Sequence, residues 1–240
     1  MRNSVTAVIA AAALAGCHAR AEEGVGATVS KNYTVGNFSS IEVAGPYDVD
    51  IRIGSNPSVS ARGGEKLLER TIVEVQGDKL VIRPENNHNF FHWGFGHNGS
   101  ARFTVTVPQL NGASIAGSGD ISVDKVAGQA FNGSVAGSGE IDVASMNVKE
   151  LKLSIAGSGG VKARAGSAQS AEYEIAGSGD IDAGAVQSQA LKVSIAGSGG
   201  VKAHSSGTAD VEIMGSGDVD VAGGARCNIS KAGSGNVHCS

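Results

Sequence analysis

The chain has 240 residues, room for one large domain or two small ones. Glycine accounts for 36 of them, about twice the usual share, whereas aromatic residues are 4% and charged residues 18%. A hydrophobic content of 41% excludes a solvated disordered tail, glycine lacks the every-third-residue spacing of collagen, and a net charge of −4 without a basic run argues against a nucleic-acid binder.

Met1-Arg2-Asn3 is a short, weakly positive start, and Val5 to Gly16 is an apolar run. As helix it would measure roughly 18 Å against a hydrocarbon core of about 30 Å, so it reads as a secretory signal over 1–16 rather than a membrane span. The run ends Leu14-Ala15-Gly16-Cys17, which resembles the bacterial lipobox. That resemblance implies diacylation at Cys17 and a membrane reached through the lipid anchor. His18, which is not an inner-membrane retention signal, implies the outer membrane. The alternative is ordinary cleavage of 1–21 after Ala19-Arg20-Ala21, which leaves a soluble periplasmic or secreted protein. Residues 17–30 are small and polar and read as a tether.

Residues 31–110 form an N-terminal β region and cap. Val49, Ile51 and Ile53 alternate with Asp50 and Arg52, the pattern of a strand with one buried face. Glu65 to Arg70 suits a single helical turn. Val73 and Val75 lead through Gln76-Gly77-Asp78 to Leu80 and Ile82, a hairpin signal. Phe103, Val105 and Val107 form a further strand stopped by Pro108. Between the last two strands lie His88, Phe90, Phe91, His92, Trp93, Phe95 and His97. Three readings of this insert stand open. It is an aromatic plug over the end of the core, or a binding patch built from Phe90, Phe91, His92, Trp93 and Phe95, or a metal site of His88, His92 and His97. The loop spacing imposes no ligand geometry, so no metal and no cofactor is expected.

From 111 to 240 the chain repeats. Gly-Ser-Gly begins at Gly117, Gly137, Gly157, Gly177, Gly197, Gly215 and Gly233, with spacings of 20, 20, 20, 20, 18 and 18. A fixed period of this size is the signature of a solenoid. A phosphate-cradling loop or a nucleophilic serine would occur once, not seven times. Leu151, Leu153 and Ile155 alternate with Lys152 and Ser154, and Ile141 and Val143 with Glu140 and Asp142. Each repeat is therefore strand, Gly-Ser-Gly corner, strand and a looser return such as Ala165-Gly166-Ser167. The fold class is all-β, a single-domain parallel β-helix of about 20-residue coils, right-handed by the crossover rule. The stacked serines (Ser118 through Ser234) read as a structural ladder whose hydroxyls bond along the stack.

Vertical neighbours also follow from the period. The third residue after each corner runs Asp142, Lys162, Asp182, Lys202, Asp220, His238, so opposite or titratable charges alternate as a charge ladder that holds coil register. Asp120, Asp180 and Asp218, the first residue after their corners, are the weaker candidates for a calcium or sugar site. Catalysis on such a wall needs a unique carboxylate or Arg/Lys cluster, whereas here the acidic residues repeat with the coils and Arg164 and His204 show no evident partners, so no enzyme is expected. Cys227 and Cys239 form an even pair for an oxidising compartment, and a disulfide there closes the last coil. Zinc would need two further ligands, and only His238 is adjacent.

Several segments recur in a recognisable order. Phe38-Ser39-Ser40-Ile41-Glu42-Val43 is followed by Tyr47-Asp48-Val49, Glu65-Lys66-Leu67-Leu68 and Gly77-Asp78-Lys79-Leu80-Val81-Ile82. Thr104-Val105-Thr106-Val107-Pro108-Gln109-Leu110 and the Gly-Ser-Gly-Asp-Ile coils come next. Over residues 31–240 this order resembles the head GIN domain of autotransporter adhesins. The resemblance implies an exported bacterial β-helix protein, often a lipoprotein, of a family with no settled enzymatic activity. The chain departs from a complete autotransporter in its aromatic insert and in having no translocator barrel. The expected function is a cell-envelope surface module that binds a glycan or an envelope protein. The alternatives are a purely structural envelope lipoprotein and a carbohydrate-active enzyme.

Overall fold

The structure is a computed structural model that describes residues 27–85 and 101–240. Apart from one short helix it is a single β-sheet wound into a solenoid of about six turns with coils of about 20 residues. The seven Gly-Ser-Gly corners bound these turns.

Each coil has three walls. On the wall before the corner, Leu151, Leu153 and Ile155 point into the core, while Lys152, Ser154 and Ala156 point out. After the corner, Val161 and Ala163 point in. Strands of successive coils are parallel and in register, so that Ile115, Val135, Ile155, Ile175, Ile195 and Ile213 form one vertical column. Like sits on like in this column because the strands keep one register through the corners and the position is always a branched aliphatic residue. The core is one continuous cluster from Phe38 to Val221.

The corners leave no space for side chains. Gly137 has φ +130°, and a Cβ built on it would lie 2.3 Å from the Gly117 carbonyl oxygen one coil below. Backbone cannot yield as a flexible side chain would, so the position takes glycine only. The serine between the glycines has a structural role through its main chain. The Ser138, Ser158 and Ser178 N–H groups each donate to the corner glycine carbonyl of the coil below, at 2.9 Å. The ladder is thus made by backbone donors rather than by the hydroxyls.

The return segment is a third wall, not a loose connection. Gly166–Ser167 is a strand paired in parallel with its neighbours in the coils on either side. Val126, Met146 and Val186 fill its inward positions. The shortening from 20 to 18 residues is absorbed here. Asp182 pairs with Lys202 (20 apart), Gln187 with His204 (17 apart) and Ala190 with Thr208 (18 apart), with register shifts between them. Two serines are buried at this irregularity, and both are satisfied. The Ser188 hydroxyl donates to the His204 carbonyl at 2.8 Å, and Ser205 Oγ lies 3.1 Å from the Thr208 carbonyl.

The N-terminal region starts the stack and closes it. In chain order it contains β1 (Thr28–Tyr33), β2 (Ser40–Ala44), β3 (Tyr47–Ile53), β4 (Ser58–Gly64), α1 (Glu65–Glu69), β5 (Thr71–Gln76), β6 (Lys79–Pro84) and β7 (Ala101–Val107). β2 and β3 lie parallel under the first Gly-Ser-Gly coil, and β6 and β7 lie parallel under them. The expected helical turn and hairpin are α1 and β5–β6. The sheet then turns antiparallel: β5 closes the edge of β6, β4 that of β7, and β1 that of β4. Under this cap Thr71 Oγ1 donates to the Leu67 carbonyl at 2.7 Å, so its 3.1 Å contact with Tyr47 is one in which the tyrosine hydroxyl donates.

At the opposite end Cys227 and Cys239 are bonded as a disulfide across the last coil. Lys231 occupies the isoleucine column there, next to Ile213 in register, and its ammonium donates to the Gly235 carbonyl at 2.8 Å. A charge at an inward position blunts a free sheet edge against unwanted stacking.

Candidate functional site

The solenoid displays two columns of alternating charge. The first is the expected ladder: Asp142, Lys162, Asp182, Lys202, Asp220 and His238 are consecutive cross-strand partners. Its contacts, however, run diagonally. Lys162 bonds to Glu140 at 2.8 Å, and Arg164 bonds to Asp142. Long side chains on neighbouring strands reach the residue two positions away as readily as the one opposite. Arg164 therefore has a partner. The hydrogen bonds and charge of Glu140 raise the Lys162 pKa, and those of Asp142 raise that of Arg164. Among the described residues no ion pair joins Asp182, Lys202, Asp220 or His238.

The second column lies on the wall before the corner and escaped the sequence reading. It runs Asn132, Lys152, Glu172, Lys192, Asp210, Asn228 in parallel register. The signal that reveals it is the same period read five residues before each Gly-Ser-Gly instead of three after it. Here the contacts include vertical ones. Lys152 bonds to Glu172 at 3.3 Å and to Glu174 at 3.0 Å, Lys192 to Glu172 at 3.1 Å, and the Asn228 amide donates to Asp210 at 2.8 Å. Hydrogen bonds from Lys192 and Lys152 lower the Glu172 pKa, and those to Glu174 and Glu172 raise that of Lys152, so these charges persist through neutral pH. The column borders a shallow groove of about 520 Å³ whose other side is formed by Ala130, Glu150, Ser170, Ala190 and Thr208.

Asp120, Asp180 and Asp218 serve the stack. Their carboxylates accept the backbone N–H of Glu140, Gly200 and Asn236 in the next coil, at 2.9, 2.8 and 3.0 Å. They sit three and two coils apart, about 14 and 10 Å, so they do not converge on one ion. Among the described residues no group of three or more His, Cys, Asp and Glu is placed to hold a metal. His204 has its Nδ1 buried without a hydrogen-bond partner. Cys17 and the patch of Phe90, Phe91, His92, Trp93 and Phe95 lie outside the described residues, as do His88 and His97.

Ladder function has a direct test. Lys162→Glu places a carboxylate beside Glu140, Asp142 and Asp182. It should lower the denaturation midpoint at low salt and have a smaller effect as added salt screens these exposed charges. An effect independent of salt would remove the electrostatic account.

A family model described as "Putative auto-transporter adhesin, head GIN domain" matches residues 37–225. The chain belongs to this family. As a head GIN domain protein it is adhesin-like, and such a family points to a surface or exported location. The comparison with curated proteins found no match. Among solved structures, a putative adhesin from Bacteroides fragilis is 22% identical, with 89% of this chain and 97% of that one covered and a TM-score of 0.80. A putative adhesin from Parabacteroides merdae is 21% identical over 90% and 98%, with a TM-score of 0.70. A structure called a putative lipid binding protein, from Parabacteroides distasonis, is 24% identical over 90% and 98%, with a TM-score of 0.69. These likenesses show a fold shared with those structures along about nine-tenths of this chain.

Proposed function

We propose that this head GIN domain protein is a non-enzymatic binding module of the bacterial cell envelope. It is anchored to the outer membrane through a lipid on Cys17 and engages a glycan or an envelope protein. The observation that carries this reading is the outer wall. It is a regular, exposed surface of charged and small residues repeated coil after coil, in which Glu172 is engaged with lysines and Asp120 and Asp180 with backbone N–H groups of the next coil. Family membership supports the adhesin-like role. Within the reading, Trp93 and Phe91 of the insert supply the aromatic anchors that binding surfaces concentrate.

The experiment is a panel of glycans and envelope proteins presented to the full chain and to its Trp93→Ala variant. The variant is expected to lose about tenfold or more in retention of whichever partner binds, the size of an aromatic hot spot, with an unchanged melting curve. A collapse of stability instead would identify the insert as a plug over the core. Depolymerisation of any glycan on the panel would overturn the non-enzymatic reading.

A further inference from the structure

We infer that the third wall is the binding face for a linear, uncharged polysaccharide, recognised through glutamine amides. This deepens the binding-module reading, on which it rests, by naming the ligand class and the face that takes it.

Charge sets this wall apart. Its segments 125–129, 145–149, 165–169 and 185–189 contain no Asp or Glu. The wall before the corner carries Glu150, Glu172, Glu174 and Glu212, and the wall after it Glu140, Asp142, Asp180 and Asp182. The third wall has two cations, Lys125 and Lys149. Each is next in sequence to a carboxylate at a border, Asp124 for the first and Glu150 for the second. Charge therefore balances at the edges, and the field between them is neutral.

Amides fill that field. Gln129, Gln169, Gln187 and Gln189 are all exposed, and among the described residues none of their side chains has a hydrogen-bond partner in the protein. The stack aligns them. The Gln169 N–H donates to the Lys149 carbonyl at 3.0 Å and the Gln189 N–H to the Gln169 carbonyl at 3.2 Å, so these residues lie one above another. Gln129 falls one coil below Lys149, between the register pairs Gly128–Val148 and Ala130–Glu150. Two residues along the wall, Ala127, Asn147, Ser167 and Gln187 form a second column in register. Both columns face out because the residues between them, Val148, Ala168 and Ser188, are buried. The result is a grid with rows about 4.8 Å and columns about 6.6 Å apart.

Such a grid matches hydroxyl groups. A carboxamide offers two donors and an acceptor, and a hydroxyl both donates and accepts. No internal contact is lost when these amides bind, whereas on the other walls a ligand must compete with pairs such as Lys152–Glu172 and Lys162–Glu140. A protein partner would need an apolar anchor. The two large exposed apolar residues among the described ones, Met214 and Ile229, are not on this wall. Each amide–hydroxyl bond is weak in water, and ordering a glutamine costs entropy. A polymer lying along the stack meets amides in successive coils and adds them by avidity.

The test is retention of the full chain, in mild detergent, on immobilised dextran, mannan and β-glucan, with polygalacturonate and chitosan as charged counterparts. At least one neutral polymer should retain the wild type, and raising salt from about 0.05 to about 0.5 M should leave that retention unchanged. Gln169→Ala combined with Gln189→Ala should weaken it about tenfold, the effect of two lost hydrogen bonds, with an unchanged melting curve. Ser154→Ala combined with Ser194→Ala, on the wall before the corner, should leave it intact. Retention by charged polymers alone, retention lost in salt, or a glutamine double variant that binds like the wild type overturns the inference. Retention abolished by Trp93→Ala but not by the glutamine pair would do so too, while leaving the binding-module reading in place. A chain that binds no glycan and no envelope protein would remove both.

Discussion

Replacing Gly177 by alanine should break the solenoid near its middle. The residue has φ +135°, and a Cβ there would lie 2.2 Å from the Gly157 carbonyl oxygen and 3.0 Å from its carbonyl carbon. Both the conformation and the space are refused, and the obstacle is backbone held in register by the neighbouring coil. The expected loss is more than about 4 kcal/mol, at the far end of single-substitution effects. Gly184, in the following coil, is the control. It has no positive φ, and its nearest neighbour would be the Lys202 Cβ at 3.7 Å, an ordinary contact. Gly184→Ala should change stability by no more than about 0.5 kcal/mol, or raise it slightly by restricting the unfolded chain. Urea unfolding followed by circular dichroism separates the two. Equal effects would mean that the corners are not the reason for the glycine.

The second large effect is expected at Tyr173. The residue is 1% exposed, and the inward position two residues before it is Ala171. Successive coils trade volume between these two positions: Phe131 with Gly133, Leu151 with Leu153, Ala171 with Tyr173. The trade is enforced by contact, since a Cβ on Gly133 would lie 2.9 Å from Leu153 Cδ2 and 3.4 Å from Phe131 Cε1. Tyr173→Ala leaves two alanines facing one hole and should cost about 3–5 kcal/mol, the range for truncating a buried aromatic. The double variant Ala171→Leu with Tyr173→Leu recreates the pair of the coil below and should recover more than half of that loss, because total volume is what the core requires. If the double variant melts no higher than Tyr173→Leu alone, volume exchange within a coil is the wrong account.

Which parts of the molecule were legible in sequence follows from what repeats. Corners, coil length, the column of inward isoleucines and the ladder from Asp142 to His238 all recur at one period, and a parallel stack converts period into neighbourhood. The third wall looks like a loose return in the sequence because its inward residues, Val126, Met146 and Val186, come singly and without sustained alternation. The partners of Lys162 and Arg164 lie diagonally, a matter of side-chain reach that spacing does not encode. The ladder through Lys152 and Lys192 has the same period and stands five residues before each Gly-Ser-Gly, on the side of the corner opposite to the ladder from Asp142 to His238.

The amino-acid sequence by itself determined the solenoid, its corners and the disulfide pair, because these depend on periodicity, on glycine's freedom from a Cβ and on counting cysteines. The glycine excess belongs here, with 24 of the 36 glycines lying in 111–240. Only the tertiary structure decided how the stack ends and which faces it offers. The antiparallel turn of β4 and β5 under the first coils, the placing of Lys231 in the isoleucine column and the wall on which the second ladder meets its groove are relations between residues far apart in the chain. Such relations are set by coils packing on coils, and no local pattern carries them.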